Sequence, residues 1–281
     1  MAGDTAAYYD ANTRRFLRFG HGGASASIHR AVWAAGVATR REAMNYVDSL
    51  ILAELQALSP VEEAGGRPVV VDLGCGVGGT VSYLEDRHAA DYIGVTNSRV
   101  QRDLAAERAE LTGSGADFRV DDYGDPGLYG ERLPAGGVDL VYMIESFVHA
   151  ADADVLLAGV AGVLRPGGRL VICDDVLAGE DAAASPVVEA FRDGWHIHTL
   201  ITEEELARRA STAGLHLTAS RDLTADIELN RPRDRVIRLI APFIPRLGLR
   251  TPFWDNMYGG DALQRALLGG LVQYRYLVFE A

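Results

Sequence analysis

VVVDLGCGVGG, residues 69–79, runs from a β-branched apolar stretch through an acid into a loop with glycine at 74, 76, 78 and 79. Three valines and a leucine suit a strand buried on both faces. The glycines supply a tight turn and a bare backbone that a ligand can approach. TVSYLEDRHA, residues 80–89, then reads as a helix. The same alternation spreads downstream: YIGVT (92–96) and the helix SRVQRDLAAERAEL (98–111), then the strands ADFRV (116–120), VDLVYMIES (138–146) and RLVICDDV (169–176). Strands alternating with helices predict a parallel, doubly wound sheet. HLTASRDLT (216–224) and QYRYLVFEA (273–281) add two closing strands, making seven. Between the fifth and sixth, TEEELARRASTA (202–213) is a helix opened by a capping box of Thr202 and Glu205.

Upstream, Ile28, Val32, Val37, Ala43, Val47, Ile51 and Leu55 recur at roughly helical spacing, so residues 1–62 are expected to form a helical cap or lid, broken early at Gly20 to Gly23. Residues 63–281 form the main domain, interrupted by an irregular insertion rich in arginine and proline at about 228–262. The expected fold class is α/β: a doubly wound, mostly parallel seven-stranded sheet with an N-terminal helical cap and a C-terminal insertion.

With 281 residues, 48% hydrophobic and 23% charged, the chain can bury a sizeable core. No apolar run approaches the roughly 20 residues of a membrane span. MAGDTAAYYDANTRRF lacks a basic segment followed by an apolar one, so no secretory signal is expected and the location is read as cytoplasmic. All 27 basic residues are arginine and the net charge is −12, which argues against nucleic acid and leaves a small molecule as partner. Self-association is left open. Cys75 and Cys173 have neither zinc spacing nor a disulfide framework and are read as reduced structural thiols.

Gly74, Gly76 and Gly79 also fit the dinucleotide pattern G-x-G-x-x-G, so the loop alone does not decide its ligand. Four features do. Asp72 stands two residues before the first glycine, where a carboxylate suits an ammonium group or its water shell. The loop lies behind a helical cap rather than at the start of the chain. A dinucleotide site expects a ribose-holding acid about 20 residues on, where this chain has Thr96 and Asn97. LRPGGRLVI, residues 164–172, reads as a helix end, a Pro-Gly-Gly turn and a strand. These disfavour a nicotinamide dehydrogenase, and the intact loop set disfavours a non-catalytic binding protein.

As a set, VVDLGCGVGG, Asp122 and LRPGGRL resemble the glycine-rich loop, adenine-site acid and fifth-strand turn of class I S-adenosylmethionine-dependent methyltransferases, over about residues 65–176. The resemblance implies a Rossmann-like methyltransferase fold with S-adenosylmethionine as cofactor. Asp72, Gly74, Gly76 and Gly78 would line its methionine and ribose part. Thr96, Ser98 and Gln101 fit a T-x-S-x-x-Q pattern, with Asn97 and Gln101 in the ribose role. Asp122 would face the adenine amino group with Tyr123 beside the ring; a solvated turn is the competing reading for Asp121 and Asp122.

IESFVHA, residues 144–150, resembles a segment of sterol C-methyltransferases and, more loosely, of prenyl diphosphate C-methyltransferases. On that likeness Glu145 is the candidate general base, stabilising or deprotonating a cation, and His149 a catalytic neighbour that orients it; capping the next helix or touching the cofactor is the competing role for Glu145. YYDANTRRFLRFGHGG and IHRAVWAAG resemble the opening of terpenoid C-methyltransferases and their cyclopropane and sterol relatives, in which the segment folds over the cofactor. Tyr9 would then serve the cofactor, and Tyr8 and His21 the substrate, although an ordinary turn histidine explains His21 too. Residues 230–250 hold six arginines and one acid interleaved with Ile237, Leu239, Ile240, Phe243 and Ile244. A diphosphate head with a hydrocarbon tail suits that composition, with Arg231, Arg233 and Arg235 on the head group; an arginine-rich interface explains the same letters. WDNMYGGDALQ, residues 254–264, resembles the C-terminal segment of the same enzymes. In FRDGWHIHTL, residues 191–200, Trp195 and His196 suit an aromatic substrate wall. Histidine is not magnesium's preferred ligand, so no protein-built metal site is expected; a diphosphate acceptor would bring its own Mg²⁺. The leading expectation is methylation of an alkene carbon of an isoprenoid, a prenyl diphosphate such as geranyl or farnesyl diphosphate. The alternative is O- or N-methylation of a small natural product, with Glu145 or His149 as base.

Overall fold

The computed structural model describes residues 29–58, 66–244, 248 and 251–281. Its sheet has seven strands: β1 (Val69–Leu73), β2 (Asp91–Thr96), β3 (Asp117–Val120), β4 (Val138–Ile144), β5 (Leu164–Leu177), β6 (His216–Asp222) and β7 (Val272–Glu280), in the order β3-β2-β1-β4-β5-β7-β6. The first five run parallel, and β7 lies antiparallel between β5 and β6. Strand order reverses between β1 and β4, so their carboxyl ends open the crevice in which such sheets place ligands.

Alternate residues of each central strand feed two separate cores. Val70, Leu140, Tyr142, Val171 and Cys173 point into one, with Val47, Ile51 and Leu55 from the N-terminal segment. Val71, Leu73, Val141, Met143 and Ile172 point into the other, against Leu156, Leu157 and Val160 of α5 and Leu206 of α7. Burial on both faces is why these strands read as unbroken apolar runs. Cys75 and Cys173 are buried free thiols.

The described helices are α1 (Arg40–Met44), α2 (Tyr46–Ala57), α3 (Gly79–Glu85), α4 (Arg99–Thr112), α5 (Ala153–Val163), α6 (Pro186–Trp195), α7 (Glu203–Thr212), α8 (Pro232–Ile240) and α9 (Pro252–Leu268). Four expectations are corrected. The N-terminal segment is not helical throughout: residues 29–38 form a strap, in which Val32 bridges Ile227 and the Trp33 N–H donates to the Asp226 carbonyl at 2.7 Å. Gly36 turns that strap at φ +89°, and α1 begins only after the Thr39–Glu42 capping box. The described residues of the insertion are largely helical rather than irregular. Pro232 and Pro252 open α8 and α9, where the missing N–H costs nothing. β5 begins at Leu164, so Pro166–Gly168 is a bulge inside the strand, with Gly167 at φ +74°, rather than a turn before it. At α7 only half of the capping box forms: Thr202 accepts from the Glu205 N–H at 3.2 Å, while the Glu205 carboxylate holds Arg208 and Arg209.

Candidate functional site

The carboxyl ends of β1, β3 and β4 are laced together by side chains. Ser146, just past β4, donates from its hydroxyl to the Leu73 carbonyl at 2.6 Å, and its own carbonyl accepts the Tyr123 hydroxyl at 2.8 Å. The Tyr123 carbonyl in turn accepts the Tyr129 hydroxyl at 2.7 Å. The glycine loop sits inside this lacing. Gly74, Gly76 and Gly78 have φ of +100°, +54° and +76°, a region glycine enters without steric cost. A Cβ on Gly78 would stand 2.8 Å from the Phe118 ring, so the loop packs as bare backbone.

Asp72, the penultimate residue of β1, has its carboxyl buried. Burial pushes its pKa up to about 8, against a smaller opposing pull from the Tyr142 hydroxyl. That hydroxyl has no well-formed hydrogen bond among the described residues. A buried acid, a hydroxyl with no well-formed bond among the described residues and the N-terminus of α3, whose Gly78 cap offers no side chain, together fit a zwitterionic head group with a cation for Asp72. At the end of β2, Thr96 donates from its hydroxyl to the Gln101 side-chain oxygen at 2.7 Å, and the Ser98 hydroxyl accepts the Gln101 N–H at 3.1 Å. The oxygen of Gln101 thus faces inward to Thr96, and Asn97 between them in sequence is half-buried. Asp122 follows β3 and accepts the Gly124 N–H at 2.8 Å, while Asp121 pairs with Arg132 at 3.0 Å. These residues fit a nucleoside laid across the ends of β1, β2 and β3.

On the other side of the switch point β4 ends at Ile144, one residue before Glu145, which takes a left-handed backbone at φ +51°. Such a conformation costs about 1 kcal/mol or more for a residue with a Cβ and persists only where the surroundings enforce it. The enforcing contacts are in place. Glu145 Oε1 accepts the Arg30 backbone N–H at 2.8 Å and the Tyr274 hydroxyl at 3.0 Å. The Arg30 guanidinium grips Asp175 with two bonds of 2.7 and 2.6 Å, lies 4.5 Å over the Tyr274 ring and brings its Nε to 3.7 Å from Glu145. Glu145 Oε2 has no hydrogen bond among the described residues. Next to Arg30, His29 meets Asp48 of α2 at 3.2 Å, and Asp48 also accepts the Thr80 hydroxyl at 2.8 Å. The strap is therefore tied both to the glycine loop's helix and to Glu145.

Burial alone would lower the His29 pKa, but the Asp48 carboxylate more than offsets it and raises it to about 9. His149 goes the other way: burial takes it down to about 4, so its ring is neutral, with Nδ1 3.4 Å from the His196 carbonyl. The raised His29 value has a sign. A cation held above its ordinary pKa contributes stability fully below pH of about 6.5 and loses it as pH rises through 9, a window worth roughly 3 kcal/mol at most. We expect the melting temperature to fall between pH 7 and pH 9.5, and His29→Gln to flatten that fall. Parallel pH curves for the two proteins would mean that the imidazole carries no charge in the fold.

The structure brings Asp72, Gly74, Gly76, Gly78, Thr96, Asn97, Gln101, Asp122, Tyr123, Glu145 and His149 to the carboxyl edge of the sheet. Trp195 and His196 fall elsewhere in role. Trp195 wedges between α6 and α9, its ring against Gly259 and its N–H donating to the Asn256 carbonyl at 3.2 Å, and His196 closes α6 in a left-handed conformation. Arg231 caps α8 and pairs with the buried Asp234 at 3.0 Å, which occupies it, whereas Arg233, 3.6 Å from Asp234, and Arg235 are both exposed. Tyr8, Tyr9 and His21 lie outside the described residues. Sequence reasoning missed Arg30, His29, Asp48, Asp175 and Tyr274. Asp48 had left a trace, as an acid on the apolar stripe of Ile51 and Leu55.

A methyltransferase-domain family model matches residues 71–172, the span from β1 into β5. "Methyltransferase GfsG" of Streptomyces halstedii is 30% identical over 244 residues, covering 80% of this chain and 82% of the relative. Tocopherol O-methyltransferase of Arabidopsis thaliana is 37% identical over 121 residues, which are 40% of this chain and 33% of that protein. The solved geranyl diphosphate C-methyltransferase of Streptomyces coelicolor A3(2) superposes with a TM-score of 0.69 over 99% of this chain and 97% of its own, at 19% identity, a likeness of fold. With the glycine loop, the buried acid before it and the reversal of strand order, these matches place the chain among the class I S-adenosylmethionine-dependent methyltransferases, and it belongs to that family.

Proposed function

We propose that this methyltransferase places its methyl group on an alkene carbon of an isoprenoid acceptor, with Glu145 taking up first the charge and then the proton. The observation that carries the reading is the Glu145 carboxylate, held in a strained backbone with one oxygen fixed by Arg30 and Tyr274 and the other turned to no described partner. S-adenosylmethionine supplies an electrophilic methyl group, so the protein needs mainly to align the nucleophile and exclude water. As the alkene forms the new carbon–carbon bond, positive charge develops on its other carbon. A fixed carboxylate stabilises that charge and accepts the proton lost from the adjacent carbon when the double bond re-forms. The neutral ring of His149 adds no competing cation.

The fold likeness to the geranyl diphosphate enzyme supports an isoprenoid. The diphosphate has weaker support, because it would compete with the buried Asp234 for Arg231. Geranyl and farnesyl diphosphate with Mg²⁺, and an uncharged prenylated quinol, are the acceptors to try, with mass spectrometry and labelled-methyl NMR on the product. A new methyl carbon bonded to carbon supports the reading. A methyl on oxygen would establish the second reading, O-methylation with Glu145 as base, which the name of the tocopherol relative favours.

Cofactor binding itself carries a proton signature. With its pKa near 8, Asp72 is mostly protonated at pH 7 in the free protein, and an ammonium group placed against it would expel that proton. Titration with S-adenosylhomocysteine in phosphate and in Tris at pH 7 is expected to give different heats, consistent with release of close to one proton. Equal heats in the two buffers would separate Asp72 from the ammonium group.

A further inference from the structure

Helix α8 and the turn that continues it, Ala241–Phe243, carry an apolar stripe on their outer side. Val236, Leu239, Ile240 and Phe243 recur at i, i+3, i+4 and i+7, the spacing of a stripe that ordinarily faces a core. Here they are 56%, 74%, 41% and 53% exposed. The inward side is mixed: Ala241 and Ile244 are buried, as is Asp234 against Arg231, and Arg238 reaches Asp261 of α9 at 3.5 Å. Phe253, also partly exposed, stands edge to face with Trp254 at 5.0 Å where α9 begins. Isolated apolar residues on a surface are ordinary, whereas a helical stripe of four with aromatic neighbours marks a contact face.

Charge identifies what that face meets. The chain carries −12 overall, yet residues 230–250 hold six arginines and one acid in sequence; among the described ones Arg231 and Arg238 pair with Asp234 and Asp261, and Arg233 and Arg235 are exposed beside the stripe. We propose that this face is a peripheral docking surface for an anionic lipid bilayer, with the stripe dipping into the acyl boundary and the arginines among the phosphates. Phe253 and Trp254 suit the headgroup level, where aromatic side chains concentrate. No helix among the described residues is long and apolar enough to cross a membrane, so the contact is with one surface. The acidic remainder of the molecule would be repelled by the same lipids, which leaves one docking orientation. A two-fold contact with a second copy fits poorly, because it would set this arginine cluster against its own image. The inference is independent of the acceptor assigned to the enzyme.

The test is flotation of the full chain with phosphatidylcholine vesicles that contain or lack about 30% phosphatidylglycerol, a content that gives a strong surface charge. The protein is expected to float with the anionic vesicles, to be released by high salt, and to stay down with phosphatidylcholine alone. Leu239→Asp and Phe243→Asp should each weaken partitioning about tenfold or more, as removal of one buried apolar side chain implies. Both positions are exposed, so melting temperature and S-adenosylhomocysteine binding should not change. No flotation of the wild type, equal binding to uncharged vesicles, or unaltered partitioning of both variants would overturn the proposal. So would a dimer in sedimentation velocity that Leu239→Asp dissociates, which would assign the face to a second copy.

Discussion

Replacing Arg30 by methionine is expected to lower the melting temperature by roughly 10 °C, since breaking a buried ion pair costs about 3–5 kcal/mol. The loss comes less from the bond than from what is left behind. Asp175 is 1% exposed on its side chain, and burial already raises its carboxyl pKa, with Arg30 as the opposing pull. Without the guanidinium, Asp175 must stay charged in a low-dielectric pocket or take up a proton. The variant should therefore regain stability as pH falls towards 5. Adding Asp175→Asn removes the orphaned charge, and Arg30→Met/Asp175→Asn should recover most of the melting temperature. Turnover should not recover with it, because the guanidinium over Tyr274 also braces the hydroxyl that holds Glu145. A double variant as unstable as the single one would show that Arg30 acts through packing of its aliphatic stem rather than through the Asp175 pair.

What could be read from the letters follows the range of the forces involved. β1 and β4 were legible because burial on both faces leaves unbroken apolar runs, and the Asp72 to Gly79 loop because a bare backbone at positive φ requires glycine. α8 and α9 were not, because Pro232 and Pro252 stop a helix or start one according to what precedes them. The strap was misread because Val32 and Val37 have the spacing of a helix, while the bridge to Ile227 that decides their conformation comes from far along the chain. Long-range pairing also hid the acceptor side. Arg30 and Asp175 lie 145 residues apart in sequence, and neither carries a local mark of the other. Glu145 could be found through its resemblance to known segments, but not its left-handed backbone, which is imposed by Arg30 and Tyr274.

That backbone makes Glu145→Gln the most informative single substitution. Glutamine keeps the size of the side chain and an oxygen that can still accept from the Arg30 N–H and the Tyr274 hydroxyl, so the fold and the cofactor half of the crevice should be undisturbed. S-adenosylhomocysteine affinity is expected to stay within about threefold of wild type, a shift well under 1 kcal/mol. What disappears is a charge and a proton acceptor, and turnover should fall by roughly 10²–10⁴, the usual contribution of a positioned acid or base. The loss should appear in kcat more than in KM, because charge develops only as the methyl group moves. The two acceptor readings diverge in what remains. With an alkene, bond formation creates a cation that must still lose a proton, so the variant should release altered double-bond isomers or a water adduct. With a hydroxyl there is no cation to divert, and the variant should give the wild-type product more slowly. A variant that turns over within about threefold of wild type would remove Glu145 from the chemistry and leave its strained backbone as part of the strap's anchorage.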